Sequence, residues 1–129
     1  MTDSTPQRKE RPLSPHLQEY RLPLLAITSI LHRITGVSNT VGLAILTVLI
    51  YALANDPALY DCVTMCLSSV IGKLVLTGIA AGLSYHICCG VRHFVYDAGE
   101  MMTIKGAYTA SYIILTMATV MTAVLAFLI

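Results

Sequence analysis

Charge is what this chain has least of. Lys and Arg number 8 and Asp and Glu 7, a charged fraction of 12% over 129 residues, about half the share that soluble domains carry. With 56% hydrophobic residues and a mean hydropathy of +0.72, the chain falls in the membrane class. The net charge is +1 and no basic patch is interleaved with aromatics, which excludes nucleic acid as a partner. The start MTDSTPQRKERPLSPHLQEY is polar and Pro-containing, without an apolar h-region, so it does not read as a secretory signal peptide or an obvious organelle transit peptide. The cysteines Cys62, Cys66, Cys88 and Cys89 form neither C-x-x-C nor C-x-x-C-H, which excludes covalent haem attachment. Cys88 and Cys89 read as small packing residues. Cys62 and Cys66 stand one turn apart in a segment that reads as a loop, where a disulfide is open. No dinucleotide-binding glycine motif, cluster-binding cysteine pattern, internal repeat or low-complexity segment occurs.

What is present is three runs free of Asp, Glu, Lys and Arg: Ile34 to Asn55, Leu74 to Val91 and Gly106 to Ile129. Each matches the roughly 20 residues a helix needs to cross hydrocarbon, and isolated strands would leave unpaired edges in lipid. The expected fold is an all-α membrane protein of one domain over residues 1–129. Its parts are a polar segment at 1–23 and spans at about 28–54, 70–96 and 106–129. Asn55, Asp56 and Pro57 stop the first span, and Gly99 is a plausible stop for the second. Three crossings put Arg8, Lys9, Arg11, Arg21, Arg33, Arg92 and Lys105 on one side and only Lys73 on the other. That asymmetry predicts a cytoplasmic or matrix-side N-terminus.

One polar residue interrupts the second run. His86 stands about 9 Å along the axis from Arg92 and about 20 Å from Lys73, within the hydrocarbon on the N-terminal side. Gly78, Gly82, His86 and Gly90 recur every fourth residue, a stripe that reads as close helix packing or as room for a flat ring. An intramembrane ionisable residue is a functional candidate. A packing histidine satisfied by a hydrogen bond and an axial haem ligand both remain open. Arg92 and His93 follow towards the surface, suited to haem propionates, although Arg92 also reads as a snorkelling cation. His32 is expected at the depth of His93 rather than His86, and His16 lies in the polar segment. The iron would therefore lack a second ligand in this chain. In the first span, Ser29 and Arg33 share a helix face with Gly36. They could hydrogen-bond a carbonyl of a lipophilic headgroup such as a quinone, or simply mark an interfacial helix start.

Two stretches carry a family resemblance: RPLSPHLQEYRLPLLAITSILHRIT, with Arg11, Pro12, Ser29, His32, Arg33 and Thr35, and HICCGVRHFVYDAG, with His86, Gly90, Val91, Arg92, His93, Asp97 and Gly99. In this order, and spanning nearly the whole chain, they resemble the cytochrome b556 anchor subunits of succinate dehydrogenase (respiratory complex II). The resemblance implies a membrane anchor that binds haem b and ubiquinone and passes electrons from succinate oxidation to quinone in the tricarboxylic acid cycle and respiratory chain. It implies a helical bundle with a second anchor subunit that supplies the other haem-ligand histidine. It also implies an iron–sulfur subunit and a flavoprotein subunit on the cytoplasmic or matrix face. By position, His86 matches the axial ligand of haem iron, and Ser29 and Arg33 match quinone-site residues. Arg33, Arg92 and His93 are the propionate candidates, with His32 a weaker assignment. As an isolated chain it would be no complete enzyme. The expected location is a bacterial inner membrane, or a mitochondrial inner membrane for an organelle-encoded chain. A fumarate reductase anchor and a non-redox scaffold or transporter component are the competing readings.

Overall fold

A computed structural model describes residues 20–129, in four helices: α1 (Leu24–Asn55), α2 (Pro57–Ser68), α3 (Val70–Asp97) and α4 (Ile104–Leu128). Arg8, Lys9, Arg11, Pro12 and His16, with most of the polar segment 1–23, lie outside the described residues. No strand occurs among the described residues. Helices α1, α3 and α4 run 32, 28 and 25 residues, beyond the roughly 20 that span hydrocarbon, and all three are apolar enough to cross a membrane.

Side-chain caps set the starts. The Ser69 hydroxyl accepts the Gly72 N–H at 3.1 Å, and the Thr103 hydroxyl accepts the Gly106 N–H at 3.1 Å, opening α3 and α4. Helix α3 ends where Gly99 takes φ +82°, a conformation that favours glycine. There the Gly99 N–H bonds Tyr96 O and the Glu100 N–H bonds Val95 O, closing carbonyls the helix leaves open.

The connection between the first two spans is itself a helix, not the loop expected. Asp56 Oδ1 accepts the Leu59 N–H at 3.0 Å and Pro57 occupies the first turn, so the residues that stop α1 also start α2. Cys62 and Cys66 lie on this helix as free, exposed thiols, and Ala44, Ile45 and Val48 of α1 face it across Val63 and Leu67. Asp56→Ala should cost roughly 1 kcal/mol, read as faster amide hydrogen exchange in the first turn of α2 with the exchange of α3 unchanged.

Helix α3 is central, flanked by α1 and α4, which meet each other sparingly. Tyr85 and Cys89 pack on Ile114 and Ala118 of α4, flanked by Cys88 and Leu115. Apart from Arg92, the other buried positions are small or hydroxylic, among them Thr28, Ala52, Ser84, Ala110 and Ser111. Lipid tails are as apolar as leucine, so membrane helices associate through close backbone approach and interhelical hydrogen bonds rather than through apolar burial. Large apolar side chains point outward accordingly, among them Ile34, Val37, Val41, Leu74, Phe94 and Phe127.

Candidate functional site

The four-residue glycine spacing does not make one continuous strip. Each step of four drifts about 40° around a helix, and three steps separate Gly78 from Gly90. Gly82 is buried against α1, where a Cβ would touch Asn39, Ser38 and Thr35, whereas Gly78 and Gly90 face open space. The glycine that matters to His86 is on α1. A Cβ on Gly36 would come within 3.2 Å of His86 Cε1, so only glycine lets the imidazole lie this close to the α1 backbone.

His86 is half-buried in the α1–α3 seam. Its Nδ1 lies 3.2 Å from the His32 carbonyl oxygen and 3.4 Å from Thr35 Oγ1. The Thr35 hydroxyl donates its own proton to the same carbonyl at 3.0 Å. A carbonyl only accepts, and a hydroxyl whose proton is committed elsewhere offers only lone pairs. Nδ1 must therefore carry the hydrogen, which in a neutral ring leaves the lone pair on Nε2. Nε2 has no hydrogen-bond partner among the described residues.

His32 stands beside His86, not level with His93 alone. Its ring centroid is 4.2 Å from that of His86 and 5.2 Å from that of His93, and its Nε2 is buried without a hydrogen-bond partner. This corrects the expected depth of His32, because the axial offset between α1 and α3 is fixed by their packing and not by residue counting. Among the described residues no group of three or more His, Cys, Asp or Glu side chains has metal-holding geometry. The three imidazoles pack ring against ring instead of converging on a point.

Arg92 departs most from the snorkelling reading. It is only 8% exposed and reaches into the bundle, where Nη1 donates to Thr28 Oγ1 on α1 and Ser111 Oγ on α4, both at 3.3 Å. Its guanidinium carbon lies 5.7 Å from the centre of the Tyr96 ring. The position explains the direction: six residues after His86 is about 120° away around the helix, whereas His93, at seven, is within about 20°. Of the propionate candidates, His93 and Arg33 are exposed, and Arg92 is drawn to the interior. Tyr85 adds a second α3–α1 tie by donating from its hydroxyl to Thr28 O at 2.8 Å. Neither this tie nor Thr35 was singled out from sequence for a site role. The only local signal is a hydroxyl three residues after His32.

Ser29 lines a cavity of about 300 Å³ with Leu25, Arg92, His93, Tyr96 and Met102. Arg33, one turn further along α1, lies outside that cavity's lining. Neither Ser29 nor Arg33 forms a side-chain hydrogen bond among the described residues, and both are exposed.

Comparison with known proteins places this geometry in context. Residues 7–125 match the family described as succinate dehydrogenase/fumarate reductase transmembrane subunit. A succinate dehydrogenase cytochrome b556 subunit of Paracoccus denitrificans is 44% identical over 81% of this chain and 80% of its own length. One from Rickettsia felis is 30% identical over 90% of each. A mitochondrial succinate dehydrogenase cytochrome b560 subunit of Sus scrofa is 33% identical over 88% of this chain and 68% of its own length.

Proposed function

Because this chain belongs to the succinate dehydrogenase/fumarate reductase transmembrane subunit family, we propose that it is a haem b- and ubiquinone-binding anchor of complex II. It acts beside a second anchor subunit, an iron–sulfur subunit and a flavoprotein subunit. The observation that carries this reading is the His86 imidazole, held through Nδ1 with a free Nε2 lone pair. That tautomer would leave Nε2 able to ligate iron. When bound, haem b supplies a one-electron carrier inside the bilayer. His86 Nε2 would hold its iron from this chain, and the exposed Arg33 and His93 would meet its propionates.

His32 is a poor second ligand. With centroids 4.2 Å apart the His32 and His86 rings are in contact, which leaves no room for a flat macrocycle between them. A second ligating histidine would come from the partner anchor. For the quinone, Ser29 offers a hydroxyl and Arg33 a guanidinium, one turn apart, to a carbonyl oxygen that gains negative charge on reduction. The three relatives above all carry the name succinate dehydrogenase, which favours succinate oxidation over a fumarate reductase role.

The test is a reduced-minus-oxidised absorption spectrum of the purified complex, in which b-type haem bands with two axial imidazoles are expected. A complex with no haem bands and no associated flavoprotein would return the chain to the scaffold reading. For the quinone role, Arg33→Ala is expected to lower kcat/KM for ubiquinone on the order of 10- to 100-fold, as loss of a charged hydrogen bond of about 1.5–3 kcal/mol implies. Succinate-driven reduction of an artificial dye should persist. Unchanged quinone kinetics would remove Arg33 from the site.

A further inference from the structure

We infer that Thr35, with the main-chain carbonyl of His32 and the bare backbone at Gly36, is the positioning apparatus that fixes the tautomer and angle of His86 and so tunes the iron it ligates. The inference rests on the haem reading above and adds residues to which that reading gives no role. Three observations carry it. Nδ1 of His86 meets two acceptors at once, His32 O at 3.2 Å and Thr35 Oγ1 at 3.4 Å. The Thr35 hydroxyl donates to that same carbonyl at 3.0 Å, which closes a triangle of three polar atoms. Gly36 leaves just enough room for the ring, since one added carbon would press on Cε1 at 3.2 Å.

The triangle works in one direction only. With the Thr35 proton spent on His32 O, Thr35 Oγ1 can only receive, so both neighbours of Nδ1 draw on its N–H. A hydrogen bond from the non-ligating nitrogen of an imidazole orients the ring and raises the basicity of the ligating one. A more basic axial ligand favours the ferric state, and thus a lower haem midpoint potential. Removing Thr35 Oγ1 keeps the shape of the seam but withdraws one acceptor and frees the His32 carbonyl from a competing donor. Gly36→Ala acts on the angle instead, by pushing the ring a few tenths of an ångström.

The experiment is potentiometry and low-temperature electron paramagnetic resonance on the purified four-subunit complex. Thr35→Val should retain wild-type haem content and succinate–dye activity while the haem midpoint potential moves away from the wild-type value, upward where the lost acceptor outweighs the freed carbonyl and downward where the carbonyl does. Thr35→Ser, which restores the hydroxyl, should bring the potential back. Gly36→Ala should change the g-anisotropy of the ferric haem, which reports the orientation of the axial imidazole. A Thr35→Val complex whose potential and spectrum match wild type, with haem that still depends on His86, would overturn this inference and leave the ligand assignment standing. Haem that ignores His86 altogether would instead overturn the ligand assignment itself.

Discussion

In the assembled complex, His86→Ala is expected to abolish normal axial ligation of haem b, the largest single effect predicted for this chain. The variant removes a nitrogen whose lone pair is both fixed and free: Nδ1 is committed to His32 O and Thr35 Oγ1, which leaves Nε2 without a hydrogen-bond partner among the described residues. No neighbour can substitute. His93 stands two turns further along α3, about 10 Å along the axis, and His32 packs against the ring that would be deleted. Loss of the low-spin, two-imidazole spectrum is the expected readout, on complex in which succinate–dye activity certifies that the other subunits are assembled. His32→Ala is the discriminating control. It deletes a side chain but keeps the carbonyl that holds Nδ1, so two-imidazole ligation should survive. Retention of that spectrum in His86→Ala would defeat the ligand assignment, and its loss in His32→Ala alone would move the ligand to His32.

Arg92→Leu is expected to weaken the bundle itself. Arg92 joins three helices, donating from α3 to Thr28 on α1 and Ser111 on α4. Hydrogen bonds from charged donors contribute about 1.5–3 kcal/mol each in soluble proteins, but interhelical bonds within membranes average nearer 0.6 kcal/mol. The acceptors here moderate the loss further, because Thr28 Oγ1 already donates to Leu25 O at 3.0 Å and Ser111 Oγ to Ala107 O at 2.9 Å. Neither hydroxyl is orphaned when the arginine goes. The leucine also removes a buried guanidinium whose Nε lacks a partner, which offsets part of the cost. A net destabilisation of about 1 kcal/mol or less follows, seen as a slightly lower thermal midpoint of the detergent-solubilised complex. In a double-mutant cycle, Thr28→Val should cost less in the Arg92→Leu background than in wild type. Additive effects would mean that the 3.3 Å contact carries no energy.

The two classes of feature differ in how far residues announce them. The spans were legible because a run without charge is a local property, as was the stop at Asn55, Asp56 and Pro57. Helix α2 was missed because only 12 residues with no long apolar run look like a connection, although a capping aspartate followed by proline is also a helix start. The chemical character of His86 was legible from its depth and from its chemical type. Its orientation was not, since it depends on Thr35, 51 residues away. The inward turn of Arg92 depends likewise on Thr28, 64 residues away, and Ser111, 19 residues away. Helical phase places Arg92 away from His86, but which hydroxyls wait there is decided by how three helices lean together. The depth of His32 failed for the same reason: rise per residue measures height along one helix and says nothing of the offset between two.

Thr28 and the His32–Thr35 turn together have a mechanical meaning. One tie between two rods leaves a pivot; two ties stop rotation as well as sliding. Helix α1 is fastened to α3 at Thr28, through Tyr85 and Arg92, and again at His32 and Thr35 through His86. The fastenings are some 6–10 Å apart along its axis. Ser29 and Arg33 ride on the shaft between and beside these points. If α1 rolled by 20°, side-chain tips at a radius of about 5–6 Å would sweep roughly 2 Å. A misplacement of about 1 Å can already cost on the order of a hundredfold in rate. The aim of the proposed quinone pair, Ser29 and Arg33, is thus set by Tyr85, Arg92 and His86, and the imidazole proposed as iron ligand also works as a keyway for their helix.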